Sequence, residues 1–252
     1  MTKTVAIANR KGGVGKTATA HALGAGLQRK GYRVLFIDLD SQCNLTDALG
    51  IDSGSVEASS LDVLEGSSEA LETIISTDRG DILPATPALA TADKVIEGVG
   101  AEYRLREALQ PIARRYDYII IDTPPALGVL TVNALTASNS LIIPAQADLY
   151  SLQGIEQLTG TIEAVKRFTN RKLSIAGILL TRYVARSIIS QDMKSNLEEL
   201  ARALGTKVFR TPIRECTAVK EAQATHSDIY SYSSKSNASK DYKDFVEEFL
   251  GG

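Results

Sequence analysis

The sequence predicts an α/β fold, a doubly wound, mostly parallel β-sheet flanked by helices. Short β-rich runs alternate with segments of helical period, and several of the runs are apolar throughout, as strands buried on both faces are. At 252 residues and 44% hydrophobic content the chain can also bury a large core, and 1–252 reads as a single domain.

In chain order, the strand runs fall at 4–8, 34–38, 81–84, 118–122, 141–144, 175–180 and 207–210. Helix-period segments fall at 16–29, 88–96, 104–115, 131–137, 155–168, 190–204, 218–224 and 236–250. The stretches 53–60 and 231–239 are serine-rich and read as solvated surface loops. In sheets of this kind ligands bind beyond the carboxyl ends of the strands, and the polar motifs of this chain fall there.

Charge and composition exclude several function classes. With 28 Lys and Arg against 30 Asp and Glu, the chain has no basic excess, so any affinity for nucleic acid must be local. The two cysteines, Cys43 and Cys216, form no paired motif, and the two histidines, His21 and His226, lack metal-ligand spacing. A reduced cytosol is the natural setting. The N-terminus enters a strand almost at once and no apolar run approaches the ~18 residues of a membrane span, so neither a signal peptide nor a transmembrane helix is expected.

The first strand run leads into Asn9-Arg10-Lys11-Gly12-Gly13-Val14-Gly15-Lys16-Thr17. Gly12, Gly13 and Gly15 lack Cβ atoms, which lets the backbone turn sharply and aim successive N–H groups at an anion. Lys16 can reach the β- and γ-phosphates of a nucleotide, the Thr17 hydroxyl can ligate Mg²⁺, and the helix starting near Lys16 points its positive dipole end at the site. Val14 and Ala18 complete the phosphate-contacting run.

Two further strand ends carry carboxylates. After 34–38 comes Asp38-Leu39-Asp40-Ser41-Gln42-Cys43-Asn44-Leu45-Thr46, where two carboxylates one residue apart face the same side. By themselves these residues fit an acidic turn capping a helix equally well. The run Tyr118-Ile119-Ile120-Ile121-Asp122-Thr123-Pro124-Pro125 ends in a single carboxylate, a common arrangement when taken alone.

A strict Walker A motif has glycine where this chain has Arg10, whereas Lys11 matches the deviant form Lys-Gly-Gly-x-Gly-Lys-Thr. With Asp122-Thr123-Pro124-Pro125, this loop resembles the ParA/MinD family of P-loop ATPases, which includes the nitrogenase iron protein and the arsenical-pump ATPase. Supporting similarity to ParA/Soj-type partition proteins extends over nearly the whole chain, through Asn133-Ala134-Leu135, Pro144-Ala145-Gln146 and Glu221-Ala222. The resemblance implies a slow, partner-stimulated ATPase using ATP and Mg²⁺. In it Asp40 positions the attacking water, Asp38 supports the metal and phosphate end, and Asp122 holds Mg²⁺ with Thr17. Ser41 and Cys43 replace the family's usual proline and glycine in this switch segment, which leaves the hydrolysis rate open. Loops at Arg182, Arg214 and Cys216 occupy the places that embrace the adenine, with Cys216 itself reading as a packed small residue. Lys11 is implied to reach across an ATP-bound homodimer to the other subunit's phosphates, as an arginine finger would.

The family has several outputs. Cluster-ligating cysteines for electron transfer are missing behind the switch strands. Tyr242, Phe245, Val246, Phe249 and Leu250 form an apolar stripe, but Asp241, Asp244, Glu247 and Glu248 outnumber Lys240 and Lys243 beside it, so this helix is expected to dock on the sheet and not on a membrane. Residues 207–243 hold seven Lys and Arg against four Asp and Glu; Lys166, Arg167, Arg171 and Lys172 form another basic cluster, and Arg186 lies near a position that contacts DNA in relatives. Each patch also fits plain solvated surface. No helix-turn-helix extension precedes the loop, which argues against promoter-specific repression. The reading is a ParA-type ATPase whose ATP dimer binds double-stranded DNA nonspecifically and is released by a ParB-like adaptor, cytoplasmic and nucleoid-associated, serving plasmid or mobile-element partition. The alternative is a positioning ATPase for a protein assembly or membrane-bound complex.

Overall fold

The computed structural model describes residues 2–184 and 188–251, the side chains of 188–190 excepted. Arg186 lies outside the described residues. Seven strands form one sheet: β1 (Lys3–Ile7), β2 (Val34–Asp38), β3 (Ile75–Thr77), β4 (Gly80–Leu83), β5 (Tyr118–Asp122), β6 (Ser140–Ala145) and β7 (Ser174–Leu180). Their spatial order is β3-β4-β2-β5-β1-β6-β7, and every pairing is parallel except the β3–β4 hairpin at the edge.

The helices are α1 (Lys16–Gln28), α2 (Asn44–Ala48), α3 (Ser60–Glu65), α4 (Ala70–Thr73), α5 (Ala92–Val95), α6 (Arg104–Leu109), α7 (Val129–Ala137), α8 (Leu149–Phe168), α9 (Ile188–Ala203), α10 (Thr217–Ala224), α11 (Ile229–Tyr232) and α12 (Asn237–Gly251). They cover both faces of the sheet, and each face has its own apolar core. The central strands are buried along nearly their whole length, which is why they read as unbroken apolar runs.

Several expected boundaries move, each for a local reason. The run 207–210 makes only a parallel bridge, Val208 to Ile178, because the next N–H groups, of Arg210 and Thr211, are accepted by the Glu248 carboxylate of α12 at 3.0 and 3.2 Å. The segment 104–115 ends its α-helix at Leu109, where Pro111 cannot continue the ladder. The segment 88–96 divides into a 3₁₀ turn, Pro87–Thr91, and α5. The helix expected at 155 starts at Leu149, capped by Asp148, whose side chain accepts the Ser151 N–H.

The serine-rich stretches are not merely solvated. Ser59 and Asp62 form a reciprocal capping box at the start of α3, and Ser60 is fully buried, donating to the Asp38 carbonyl at 2.8 Å. Helix α12 docks as expected: Tyr242, Phe245, Val246 and Phe249 are buried against α1 and Phe209. Its acids are largely consumed in that docking, since Asp241 binds Arg214, Glu247 binds Lys30, and Glu248 caps the chain at Arg210.

Candidate nucleotide site

The loop after β1 is held from three sides. Gly13 and Gly15 take φ of 73° and 83°, and Gly15 caps α1 in the left-handed region, where a Cβ would add strain. Asn9 is buried beneath the loop; its side-chain oxygen accepts the Lys11 N–H at 3.0 Å and its amide donates to the Pro144 carbonyl of β6 at 2.7 Å. The Thr181 hydroxyl, just beyond β7, donates to the Val14 carbonyl at 2.7 Å, and the Gln146 amide donates to the Gly13 carbonyl at 3.0 Å. Helix α8 approaches closely enough that a Cβ on Gly154 would sit 2.8 Å from the Asn9 oxygen.

Lys16 is 7% exposed, with its ammonium 3.4 Å from the Lys11 carbonyl. Burial lowers its pKa, while Asp122 and Asp40 pull the other way. Asp38 is fully buried: one oxygen accepts the Asp40 N–H at 3.1 Å, and the other accepts the Thr46 N–H and hydroxyl at 2.9 and 2.8 Å. Burial pushes its carboxyl up to about 6 despite those donors. Asp40 accepts the Gln42 N–H at 3.1 Å and faces the cleft. Asp122 is held well above the carboxylate range, first by burial and then by the charge of Asp38.

Neither oxygen of Asp122 has a hydrogen-bond partner in ordinary geometry; the Thr17 hydroxyl stands near enough only to offset part of the burial. Two orphaned carboxylate oxygens next to a threonine hydroxyl at the head of α1 suit Mg²⁺. That ion takes one or two protein carboxylates and fills its remaining positions with phosphate oxygens and water. Among the described residues no cluster of three or more His, Cys, Asp and Glu forms a cage that could hold a metal without a nucleotide.

A cleft of about 630 Å³ opens above these groups. Gly12, Gly13, Gly15, Lys16, Thr17, Ala18 and Asp40 line one side, and Arg182, Arg214 and Cys216 line the other. Val14, Asp38 and Asp122 are buried beneath it. The wall opposite the glycine loop is two loops joined by a parallel bridge between Tyr183 and Arg214 and by the Arg182–Glu215 ion pair at 2.7 Å. Arg214 borders the cleft, but its guanidinium is engaged by Asp241 of α12 at 2.6 Å. Lys11 turns away from the cleft: its ammonium lies 2.5 Å from Asp148.

Thr46 and Gln146 stand inside motifs read from the sequence, but their partners do not show there, and Asp148 and His226 stand outside every strand, helix and motif read there. The His226 ring nitrogen lies 2.5 Å from the Asp47 carbonyl, tying the turn after α10 to the end of α2. Asp148 could have been found as an N-cap, since it stands three residues before Ser151 at the head of a helical pattern.

Comparisons with known proteins place the whole chain among related sequences and folds. A family model described as an AAA domain matches residues 2–175. The sporulation initiation inhibitor protein Soj of Bacillus subtilis is 40% identical over 251 residues, covering 98% of both chains. The chromosome partitioning protein ParA of Myxococcus xanthus is 37% identical, covering 98% of this chain and 88% of that one. Among solved structures, a Mycobacterium smegmatis protein named cobyrinic acid a,c-diamide synthase, with bound ADP and magnesium, superposes with a TM-score of 0.86 at 36% identity, covering 99% of this chain and 94% of that one. A Cyanothece McdA variant in complex with ATP superposes with a TM-score of 0.89 at 26% identity, covering 99% and 96%.

Proposed function

From the premise that the chain belongs to the ParA/Soj-type partition ATPases, we propose that it is a DNA-segregation ATPase for a plasmid or mobile element, formed by a single domain over 1–252. Its ATP-bound homodimer binds double-stranded DNA without sequence preference and is released when a ParB-like adaptor stimulates hydrolysis. The observation that carries this reading is the convergence on one cleft of the two-lysine loop, the Asp38–Asp40 turn, the orphaned Asp122 and the two base-side loops.

In this reading Lys16 and the loop N–H groups hold the β- and γ-phosphates, and the loops at Arg182, Arg214 and Cys216 flank the base. Thr17 and Asp122 hold Mg²⁺, which when bound offsets phosphate charge and orients the γ-phosphoryl group. Asp38 accepts three hydrogen bonds from the Asp40 and Thr46 segment, so it fixes α2 and the Asp40 turn, and through them supports the metal and phosphate end of the site. The Asp40 carboxylate accepts the Gln42 N–H on one oxygen, which leaves its other oxygen to orient the attacking water. Lys11 supplies charge across the dimer as the γ-phosphoryl leaves.

Surface charge supports DNA as the partner. With Asp241 and Glu248 drawn into the fold and the exposed Glu247 paired with Lys30, the α12 side presents Lys235, Lys240 and Lys243 outward, beside the exposed acids Asp244 and Glu247. The alternative, a positioning ATPase for a protein assembly or membrane-bound complex, keeps the same switch with another platform. Burial of the α12 apolar face weighs against a membrane anchor there, and no helix among the described residues is long and apolar enough to cross a membrane.

The deciding experiment is anisotropy of a labelled random-sequence duplex titrated with protein and Mg²⁺ plus ATP, ADP or no nucleotide, at low and physiological salt. ATP-selective, salt-sensitive binding is expected. Absence of binding from a confirmed ATP dimer rejects the DNA platform and leaves the alternative.

A further inference from the structure

Lys11 is held on its own subunit by a specific arrangement. Its ammonium lies 2.5 Å from one oxygen of Asp148 and 3.2 Å from the Gln146 side-chain oxygen. The other Asp148 oxygen accepts the Ser151 N–H at 2.8 Å, so the carboxylate that caps α8 is aimed at the lysine by the helix it caps. Gln146 is fixed as well, its amide on the Gly13 carbonyl and its N–H on the Ser151 hydroxyl at 3.1 Å. The ion pair is only partly exposed, at 22% for the lysine side chain and 34% for the aspartate.

We propose that Asp148 is a positioning residue for Lys11, holding the lysine in cis at the β6–α8 junction so that a facing subunit's phosphates must displace Asp148 before the lysine can serve them. This rests on the reading of Lys11 as a cross-subunit group. The two positions compete: an ammonium already donating to Asp148 and Gln146 at the head of its own α8 has its charge partly neutralised there, and gives up the Asp148 carboxylate to sit fully against a second subunit's phosphates. Closing a symmetric dimer breaks two such pairs, so the resting pair lowers the population ready to dimerise and raises the apparent dissociation constant. Partly exposed pairs are weak, and two of them together set a shift of about three- to ten-fold.

The experiment is the dissociation constant of the dimer at saturating Mg²⁺ and a non-hydrolysable ATP analogue, by sedimentation, for the whole chain and its variants. Asp148→Asn keeps a capping oxygen for Ser151 and removes the charge; Asp148→Ser also caps but cannot reach the lysine; Asp148→Glu keeps the charge. Asp148→Asn and Asp148→Ser should each tighten the dimer about three- to ten-fold, while Asp148→Glu stays near the parent. An unchanged or weaker dimer in both neutral variants overturns the holding role. So does equal tightening by Asp148→Glu, because a change in the cap and not in the charge would then be responsible. Lys11→Ala, run beside them, separates the two ideas: if it dimerises as the parent does, the cross-subunit reading itself fails.

Discussion

Thr46 holds Asp38 with two hydrogen bonds, from its N–H at 2.9 Å and its hydroxyl at 2.8 Å, and the same hydroxyl accepts the Ala85 N–H at 2.9 Å. One buried side chain thus joins the end of β2, the short helix α2 and the exit of β4. Thr46→Val keeps the shape and removes the hydroxyl, leaving the Ala85 N–H without that acceptor and Asp38 short of a donor. Urea unfolding should show a loss of about 1–3 kcal/mol, and an unchanged midpoint would show that the junction does not depend on this hydroxyl.

Lys16→Ala should abolish ATP binding. The ammonium is buried among carboxylates in the free protein, and the loop N–H groups alone cannot offset a triphosphate. Titration calorimetry with Mg²⁺ and ATP reads this directly; retained affinity would reject the site.

Asp40→Ala should bind ATP but hydrolyse it about 100-fold or more slowly, leaving an ATP-bound dimer. Asp40 lines the cleft while Asp38 is fully buried beneath it and engaged by three donors, so the other carboxylate of the pair offers no substitute. Steady-state phosphate release checks it, and parental turnover would move water positioning elsewhere.

Gly154→Ala should loosen the phosphate loop. The new Cβ would meet the Asn9 oxygen at 2.8 Å, and Asn9 cannot swing aside without losing its bonds to Lys11 and Pro144. Overpacking of this kind costs about 1–3 kcal/mol, and ATP affinity should fall with stability. A variant with parental melting temperature and parental affinity would contradict the close approach of α8.

His21 sets an acid limit. Burial pushes its pKa down to about 4 from an ordinary 6.5, with Asp228 opposing and Arg79 adding to the effect. Between those values the unfolded chain binds more protons than the folded one, so this group's contribution to stability falls as pH falls from 6.5 towards 4. His21→Leu removes that dependence. The stability difference between parent and variant should move in the variant's favour by on the order of 3 kcal/mol across that range. Unfolding curves at several pH values test it, and a constant difference would place the proton sensitivity at another group.

Much of the site is legible in the amino-acid sequence. Gly12 to Thr17 form a nest because their conformation is decided within a few residues, and Asp38, Asp40 and Asp122 stand at strand ends because apolar runs stop there. The doubly wound sheet follows from the same alternation. Elements without periodicity escape that logic: α2 is five residues long, β3 three, and the bridge at Val208 one pairing. Ser59 carries a legible capping box with Asp62, yet serine density around it resembles a solvated loop.

By itself the sequence determined the order of strand, phosphate loop and helix, the carboxylates facing it, and the family those motifs share. All of these depend on neighbours within one turn or one strand. Only the tertiary structure decided what the long charged side chains do. Lys11 meets Asp148 across 137 positions, and Arg214, at the border of the cleft, pairs with Asp241 across 27. A lysine or arginine stem reaches whichever acid the sheet order brings near, and that order is a matter of pairing between strands far apart in the chain, which no local pattern encodes.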